Sequence, residues 1–367
     1  MKPRRTLLAW ASAFLFTFLG LWLLPALARL LWLPSSTFVT SRRLEQHRRA
    51  GNATLGFGAI LAVTPHTIPA RLRWRQDGMV AAAALTGLDI GYATQPAWNE
   101  SDVHSFVEHA RDGGDSPTGG AALAWLGHLY TLRRAVANGH STALILEDDV
   151  DWDVAVKLQA VDVAKAIWNL SHPRHVLSWG RFVGQAVERD MDEELDDAPY
   201  GLGWDVLWLG HCGSAVPEDK NSIYRYNDSS LPPVTQSAVK EKGVRFVYQS
   251  GSPVCSFAYA VTRESAEKIL RLATGNSVAF DVWLHFACER GQLKCFAVNP
   301  ELFHQHEMAG AHDSLINGLD SGNPIEFEKT NNVWHSARCN VGSNSTVPIS
   351  CPKQYDRVEE AHLEDRR

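Results

Sequence analysis

The sequence predicts an α/β domain built on a parallel sheet and carried behind an N-terminal membrane-spanning helix. Three observations lead there. An uncharged apolar run lies near the N-terminus. Short β-type runs then alternate with helical stretches. An acidic triplet directly follows one of the β-type runs.

The apolar run comes first. Lys2, Arg4 and Arg5 precede it, it extends from Leu7 to Ala28, and Leu30 to Leu33 prolong it. A helix of ~20 apolar residues crosses a bilayer core of ~30 Å, so the run is long enough. Ala26-Leu27-Ala28 also resembles a signal-peptide cleavage site, but such peptides have apolar regions of only ~7–15 residues. The greater length favours an uncleaved signal anchor. Basic residues lie on both sides, with Arg42, Arg43, Arg48 and Arg49 beyond it, so charge does not orient the segment. The acceptor sequons do. Asn52, Asn99, Asn169, Asn227 and Asn344 each open an N-x-[ST] triplet after the apolar segment, which places the body in the secretory lumen. Six cysteines, an even number, suit an oxidising compartment. Cys288 and Cys295, and Cys339 and Cys351, are the closest in sequence, and the pairing stays open. A zinc site from His285, Cys288 and Cys295 is the rival reading, without a CxxC pair to support it.

Composition narrows the function. A formal net charge of −6 argues against a nucleic-acid partner. Apolar residues at 45% suit a globular core, and buried core tryptophan is the commoner reason for thirteen Trp than stacking on sugars.

Residues 34–55 are polar and basic and read as a stem. Phe57 to Val63 reads as a buried strand ending at Thr64-Pro65. A helix follows over Ala70 to Leu85, then a strand over Asp89 to Ala93. Residues 111–120 form a loop. A helix over Ala121 to Ala137 stops at Asn138-Gly139. Thr142 to Leu146 is the next strand, and it ends in Glu147-Asp148-Asp149. A helix over Val154 to Leu170 comes next, and residues 188–197 form an acidic solvated loop. Val206 to Leu209 and Phe257 to Val261 read as strands, Glu264 to Leu272 as a short helix, and Cys295 to Val298 as the last strand. From Ala311 the chain reads as irregular.

The triplet carries the chemistry. Open α/β sheets bind ligands beyond the carboxyl ends of their strands. Glu147 and Asp149 share one face of an extended chain, and Asp148 takes the other. Hard carboxylate oxygens at one place suit Mn²⁺ or Mg²⁺ bridging to a diphosphate. Asp151 and Asp153 read as caps for the following helix. A calcium loop is excluded, because Val154 and Ala160 stand where its Gly and Glu belong. A plain solvated turn explains three acids after Ala-Leu-Ile-Leu poorly. G-x-S-x-G, H-E-x-x-H and P-loop motifs are absent, and Gly56-x-Gly58 lacks a third Gly and a preceding strand. His304-Gln305-His306 lies just past the last strand, where His304 is a candidate metal ligand.

Several segments together resemble glycosyltransferase family 25, the lipopolysaccharide and collagen galactosyltransferases, most nearly the single-pass fungal-type members. Leu144 to Asp149 with Asp151-Trp152-Asp153 resembles the acidic metal motif. Trp125-Leu126-Gly127-His128 resembles the helix before it, and Trp204 to Gly210 the central strand. Tyr259 to Arg263 with Ala266 resembles the strand–helix unit ahead of an acidic residue, here Asp281 in Phe280 to Leu284. Pro300 to His306 resembles the closing segment. The likeness runs from about residue 56 to 310. The usual basic segment after the first strand is loose: Arg71, Arg73 and Arg75 stand there without a double Arg.

The resemblance implies a GT-A-type, Rossmann-like domain, a UDP-sugar donor (often UDP-galactose) and inversion at the anomeric carbon. It implies nucleotide-sugar contacts from Thr64, Arg75, Glu147 and Asp148, with metal held by Glu147, Asp149 and His304. Asp281 is the expected general base, and a helix N-cap is its bland alternative. The expected organisation is a cytoplasmic tail (1–5), an anchor (6–33), a stem (34–55), a catalytic domain (56–310) and an irregular tail (311–367). The expected function is hexose transfer to a glycan or glycoprotein in the Golgi or endoplasmic reticulum. The rivals are a lectin-like luminal protein that retains the fold, and a metal-dependent phosphohydrolase, which would need more paired His/Asp ligands.

Overall fold

The computed structural model describes residues 44–109, 119–171, 198–219, 222–237, 241–250, 252–273, 278–311 and 324–355. Two compact units are distinguished, Met1–Gln46 and His47–Arg367, and the architecture below is that of the second. No helix among the described residues is long and apolar enough to cross a membrane. The apolar segment 6–33, residues 34–43 of the stem and the loops at 111–118 and 188–197 lie outside the described residues.

The central sheet has eight strands: β1 (Ala59–Thr64), β2 (Ile90–Thr94), β3 (Thr142–Glu147), β5 (Val206–Gly210), β6 (Ile223–Asn227), β7 (Val244–Gln249), β8 (Ala258–Thr262) and β9 (Cys295–Asn299). Their order is β2-β1-β3-β8-β5-β9-β7-β6. β1 pairs in parallel with β2 and β3, and β5 with β9. β8 runs antiparallel to both β3 and β5, and β7 antiparallel to β9 and β6. Six strands therefore point one way, with β8 and β7 against them. The α/β class holds and the arrangement is compatible with a Rossmann-like fold. The all-parallel expectation is corrected, because β8 is inserted in reverse between β3 and β5.

That reversal matters for the site. β8 starts where β1, β2 and β3 end, so the residues leading into it meet the residues leaving β3. The Glu147 amide donates to the Phe257 carbonyl at 3.0 Å across this junction.

Strand alternation builds two cores. Ile60, Ala62, Leu144, Leu146, Ala258, Ala260, Leu207 and Leu209 face one side. There they meet α1 (Arg73–Thr86) through Met79, Ala82 and Ala83, and α4 (Val156–Ser171) through Val163, Ala164 and Ile167. Leu61, Ala143, Ile145, Tyr259, Val261, Val206 and Trp208 face the other side. Against them pack α3 (Gly119–Ala137), α5 (Arg263–Leu272) and α6 (Phe280–Glu289). A further helix is α2 (Glu100–His109). α1 ends at Gly87, whose φ of +64 favours glycine and whose amide caps Ala83 and Ala84. Its buried stripe is Arg75, Met79, Ala82 and Ala83, at helical spacing, so an arginine shares the face turned toward the sheet.

A second, three-stranded sheet has the order β11-β10-β4, from β4 (Val150–Trp152), β10 (Phe303–Glu307) and β11 (Lys329–Thr330). β4 opens where the sequence predicted helix caps. Beyond β11, residues 331–355 form α7 (Ala337–Asn340) and surrounding turns. All six cysteines are bonded, as Cys212–Cys255, Cys288–Cys295 and Cys339–Cys351. The zinc reading of Cys288 and Cys295 is excluded, since disulfide sulfurs are not thiolate ligands.

Candidate active site

A cleft of about 600 Å³ opens at the carboxyl ends of β1, β2 and β3. β3 delivers Glu147-Asp148-Asp149 to its floor. The strand stops at Glu147 and the chain turns, so strict alternation of the three acids does not hold. Asp148 and Asp149 instead share one cation. Arg75 Nη1 lies 2.9 Å from Asp149 Oδ2 and 3.3 Å from Asp148 Oδ1. Gln305 Nε2 approaches Asp149 Oδ2 at 3.4 Å. Glu147 turns to a different set: Ser256 Oγ donates to its Oε1 at 2.7 Å, and His128 Nε2 stands 3.7 Å away. The His128 ring stacks on Phe280 with centroids 4.3 Å apart, and its Nδ1 meets the Tyr259 hydroxyl at 3.1 Å.

Asp281 lines the same cleft from the first turn of α6. It is not the helix cap, because Ala279 holds that position. Its Oδ2 accepts from the Cys255 amide at 2.9 Å. Cys255 has φ +65, a left-handed conformation that costs a non-glycine residue energy, and its disulfide to Cys212 ties it down.

Burial and mutual repulsion govern the charges. Burial, reinforced by the neighbouring Asp149 charge, pushes Asp148 up to about 7, with Arg75 pulling the other way. Asp149 is also raised, mainly by burial, against the pull of Arg75. For Glu147 burial is the largest influence and raises the value, but the combined hydrogen bonds and charges of His128, Ser256 and Arg75 bring it below the usual range. Asp149 Oδ1 is buried with no hydrogen-bond partner among the described residues. This buried hard oxygen beside two further carboxylates is donor chemistry that suits a divalent cation, although the three acids do not bring one oxygen each within 4.8 Å of one another.

The cleft is also lined by apolar residues, Pro65, Pro96, Ala97, Trp98, Leu123 and Ala124. Trp98 Nε1 donates to Gln95 Oε1 at 2.7 Å. Gly127 makes room for this pair: a Cβ there would lie 2.7 Å from Gln95 Nε2 and 2.9 Å from Val63 Cγ1.

Arg75, Glu147, Asp148, Asp149 and Asp281 thus converge, though they come from distant parts of the chain. Two expected residues do not join them. Thr64 is buried at the end of β1, and its neighbours Val63 and Pro65 line the cleft instead. His304 is not brought to the cluster. Alternation along β10 points Gln305 at Asp149 and leaves His304 on Glu301, with Nδ1 2.5 Å from Oε1. His306 meets Thr330 and Glu328. Its proximity to Cys339 and Cys351 offers no metal site, because those sulfurs are bonded to each other.

Asp151 departs from its expected role as a helix cap. Fully buried, it accepts from Thr330 Oγ1 at 2.8 Å, from the Arg338 amide at 3.1 Å and from Ser336 Oγ. Asp153 does support the start of α4, through the Ala155 amide at 2.8 Å, while also holding the His335 amide at 2.8 Å. Ser256, Gln305, Gln95 and Arg338 carry no role expected from the sequence alone. Each becomes visible only when remote segments meet. His128 carried a signal, three residues after Trp125 on one buried helix face.

All five sequon asparagines, Asn52, Asn99, Asn169, Asn227 and Asn344, are exposed. No family model matches the chain, and no curated protein matches it.

Proposed function

We propose that this chain is a metal-dependent glycosyltransferase with a GT-A-type catalytic domain, similar to family 25, moving a hexose from a UDP-sugar to a glycan or glycoprotein hydroxyl with inversion. The favoured donor is UDP-galactose. The observation that carries this reading is the convergence of Glu147, Asp148, Asp149, Arg75 and Asp281 in one cleft at the carboxyl ends of the strands.

Glu147 and Asp149, with Asp148 beside them, would hold Mn²⁺ or Mg²⁺. When bound, such a cation supplies Lewis-acid stabilisation to the leaving nucleoside diphosphate. The chain's own groups do the rest. Arg75 balances the acidic floor and lies within reach of a diphosphate placed on it. The apolar wall around Trp98 gives the donor a water-poor seat. Asp281, fixed through the Cys255 amide, takes the proton from the acceptor hydroxyl as that oxygen attacks the anomeric carbon. The luminal, glycosylated setting in Golgi or endoplasmic reticulum is supported by the apolar segment 6–33, the exposed sequon asparagines and the fully bonded cysteines.

Calorimetry of UDP binding tests the donor site without any acceptor. The full chain should bind UDP in the presence of Mn²⁺ and lose most of that affinity in excess chelator. UDP binding of equal strength with and without metal would count against the cation's role.

A further inference from the structure

The segment 324–355, which the sequence assigned to an irregular tail, places a buried arginine directly behind the acidic turn. We infer that Arg338 is a positioning residue for the cation-holding cluster. This inference rests on the proposed metal-dependent reading of that cluster.

The contacts are specific. Arg338 Nη2 donates to the Asp148 carbonyl at 3.0 Å and Nε to the Val150 carbonyl at 2.9 Å. One guanidinium thus grips the backbone on both sides of Asp149. Nη1 donates to the Trp74 carbonyl at 3.2 Å, just before Arg75. The same group therefore fixes the acidic turn and the start of α1, the two elements whose side chains meet as Asp148, Asp149 and Arg75. The Trp74 ring lies against both guanidinium groups, with Cζ of Arg75 at 5.5 Å and Cζ of Arg338 at 5.8 Å from its centroid.

Arg338 is itself held in place. Its amide donates to Asp151, Ser336 caps the short α7 that carries it, and the Cys339–Cys351 disulfide closes the following loop. α1 is shaped to receive it. At Gly78 a Cβ would stand 2.4 Å from Arg338 Nη1, an overlap that the pinned guanidinium cannot absorb without moving. The planar fork is also required by the geometry: three carbonyls in different directions need three N–H donors in one plane, which a lysine cannot supply. The positive charge behind the turn further offsets the repulsion among three neighbouring carboxylates.

Two substitutions in the full chain test the role, with Mn²⁺ as the probe. Arg338→Lys should weaken Mn²⁺ binding by at least ~10-fold by calorimetry and lower kcat at a temperature well below its melting point. Gly78→Ala is the second variant, and it separates positioning from stability. Alanine in a helix interior is ordinarily favoured over glycine. Here it displaces the guanidinium, so it should weaken Mn²⁺ binding in a chain that remains folded. Wild-type Mn²⁺ affinity and turnover in folded Gly78→Ala would overturn the inference, even if Arg338→Lys fails to fold. A wild-type chain that binds no Mn²⁺ would overturn the metal-dependent reading and this inference together. Normal Mn²⁺ binding by the wild type and by both variants would remove Arg338 alone.

Discussion

Asp149→Asn is expected to reduce sugar transfer by well over ~10-fold while leaving the melting temperature nearly unchanged. The amide keeps the shape of the carboxylate but removes the charge a cation needs. A loss of ~3 kcal/mol in transition-state stabilisation corresponds to a rate loss on the order of a hundredfold. Stability should hold for a reason visible in the cluster. Removing one partner of a buried ion pair is normally costly because the other charge is stranded. Arg75 is not stranded here, since Asp148 stays within 3.3 Å of it. Substitution also removes the Asp149 charge that, after burial, helps to push Asp148 above its ordinary value. The check is a rate measurement paired with a thermal melt. Full activity in the variant, or in excess chelator, would remove the cation from the account.

Asp281→Asn carries the second large effect. General-base groups contribute typically ~10²–10⁴-fold, and the proton moves only in the transition state. The loss should therefore appear in kcat, with UDP-sugar affinity close to wild type. Asp281 lies in the first turn of α6 without capping it, and its contact to the Cys255 amide requires only an oxygen acceptor, which Asn also provides. A fold defect is thus not expected to mask the chemistry. Near-normal turnover in this variant would refute the base assignment.

Much of this architecture was legible from short-range patterns. β1, β3 and α3 announced themselves through uninterrupted apolar runs and a helix stop at Asn138-Gly139. The acidic turn stood out because three charges follow four apolar residues without a spacer. Other elements were hidden for physical reasons. β7 includes Arg245, buried and paired with Asp228 at 2.7 Å, so its apolar pattern is broken by a charge that only a remote partner satisfies. The direction of β8 is not written in its own residues; it depends on which end of the sheet the preceding loop reaches. Residues 324–355 lack hydrophobic periodicity. They are fixed instead by the Cys339–Cys351 bond and by the hydrogen bonds of Asp151 and Arg338.

The site was legible to the same extent. Carboxylates and the arginine could be chosen by residue type, and five of the chosen residues converge. Thr64 and His304 were not brought in, because a strand's alternation decides which neighbour faces the cleft. At β10 that neighbour is Gln305, and at the end of β1 it is Val63 or Pro65.

The most direct measurement is turnover of a panel of UDP-hexoses by the purified full chain, following UDP release with Mn²⁺ and with excess chelator. UDP release is expected from UDP-galactose or a close relative, is expected to require the metal and should be lost in Asp149→Asn. UDP-sugar binding with no release from any donor, with acceptor glycans supplied, would contradict that expectation and leave a binding protein that retains the fold.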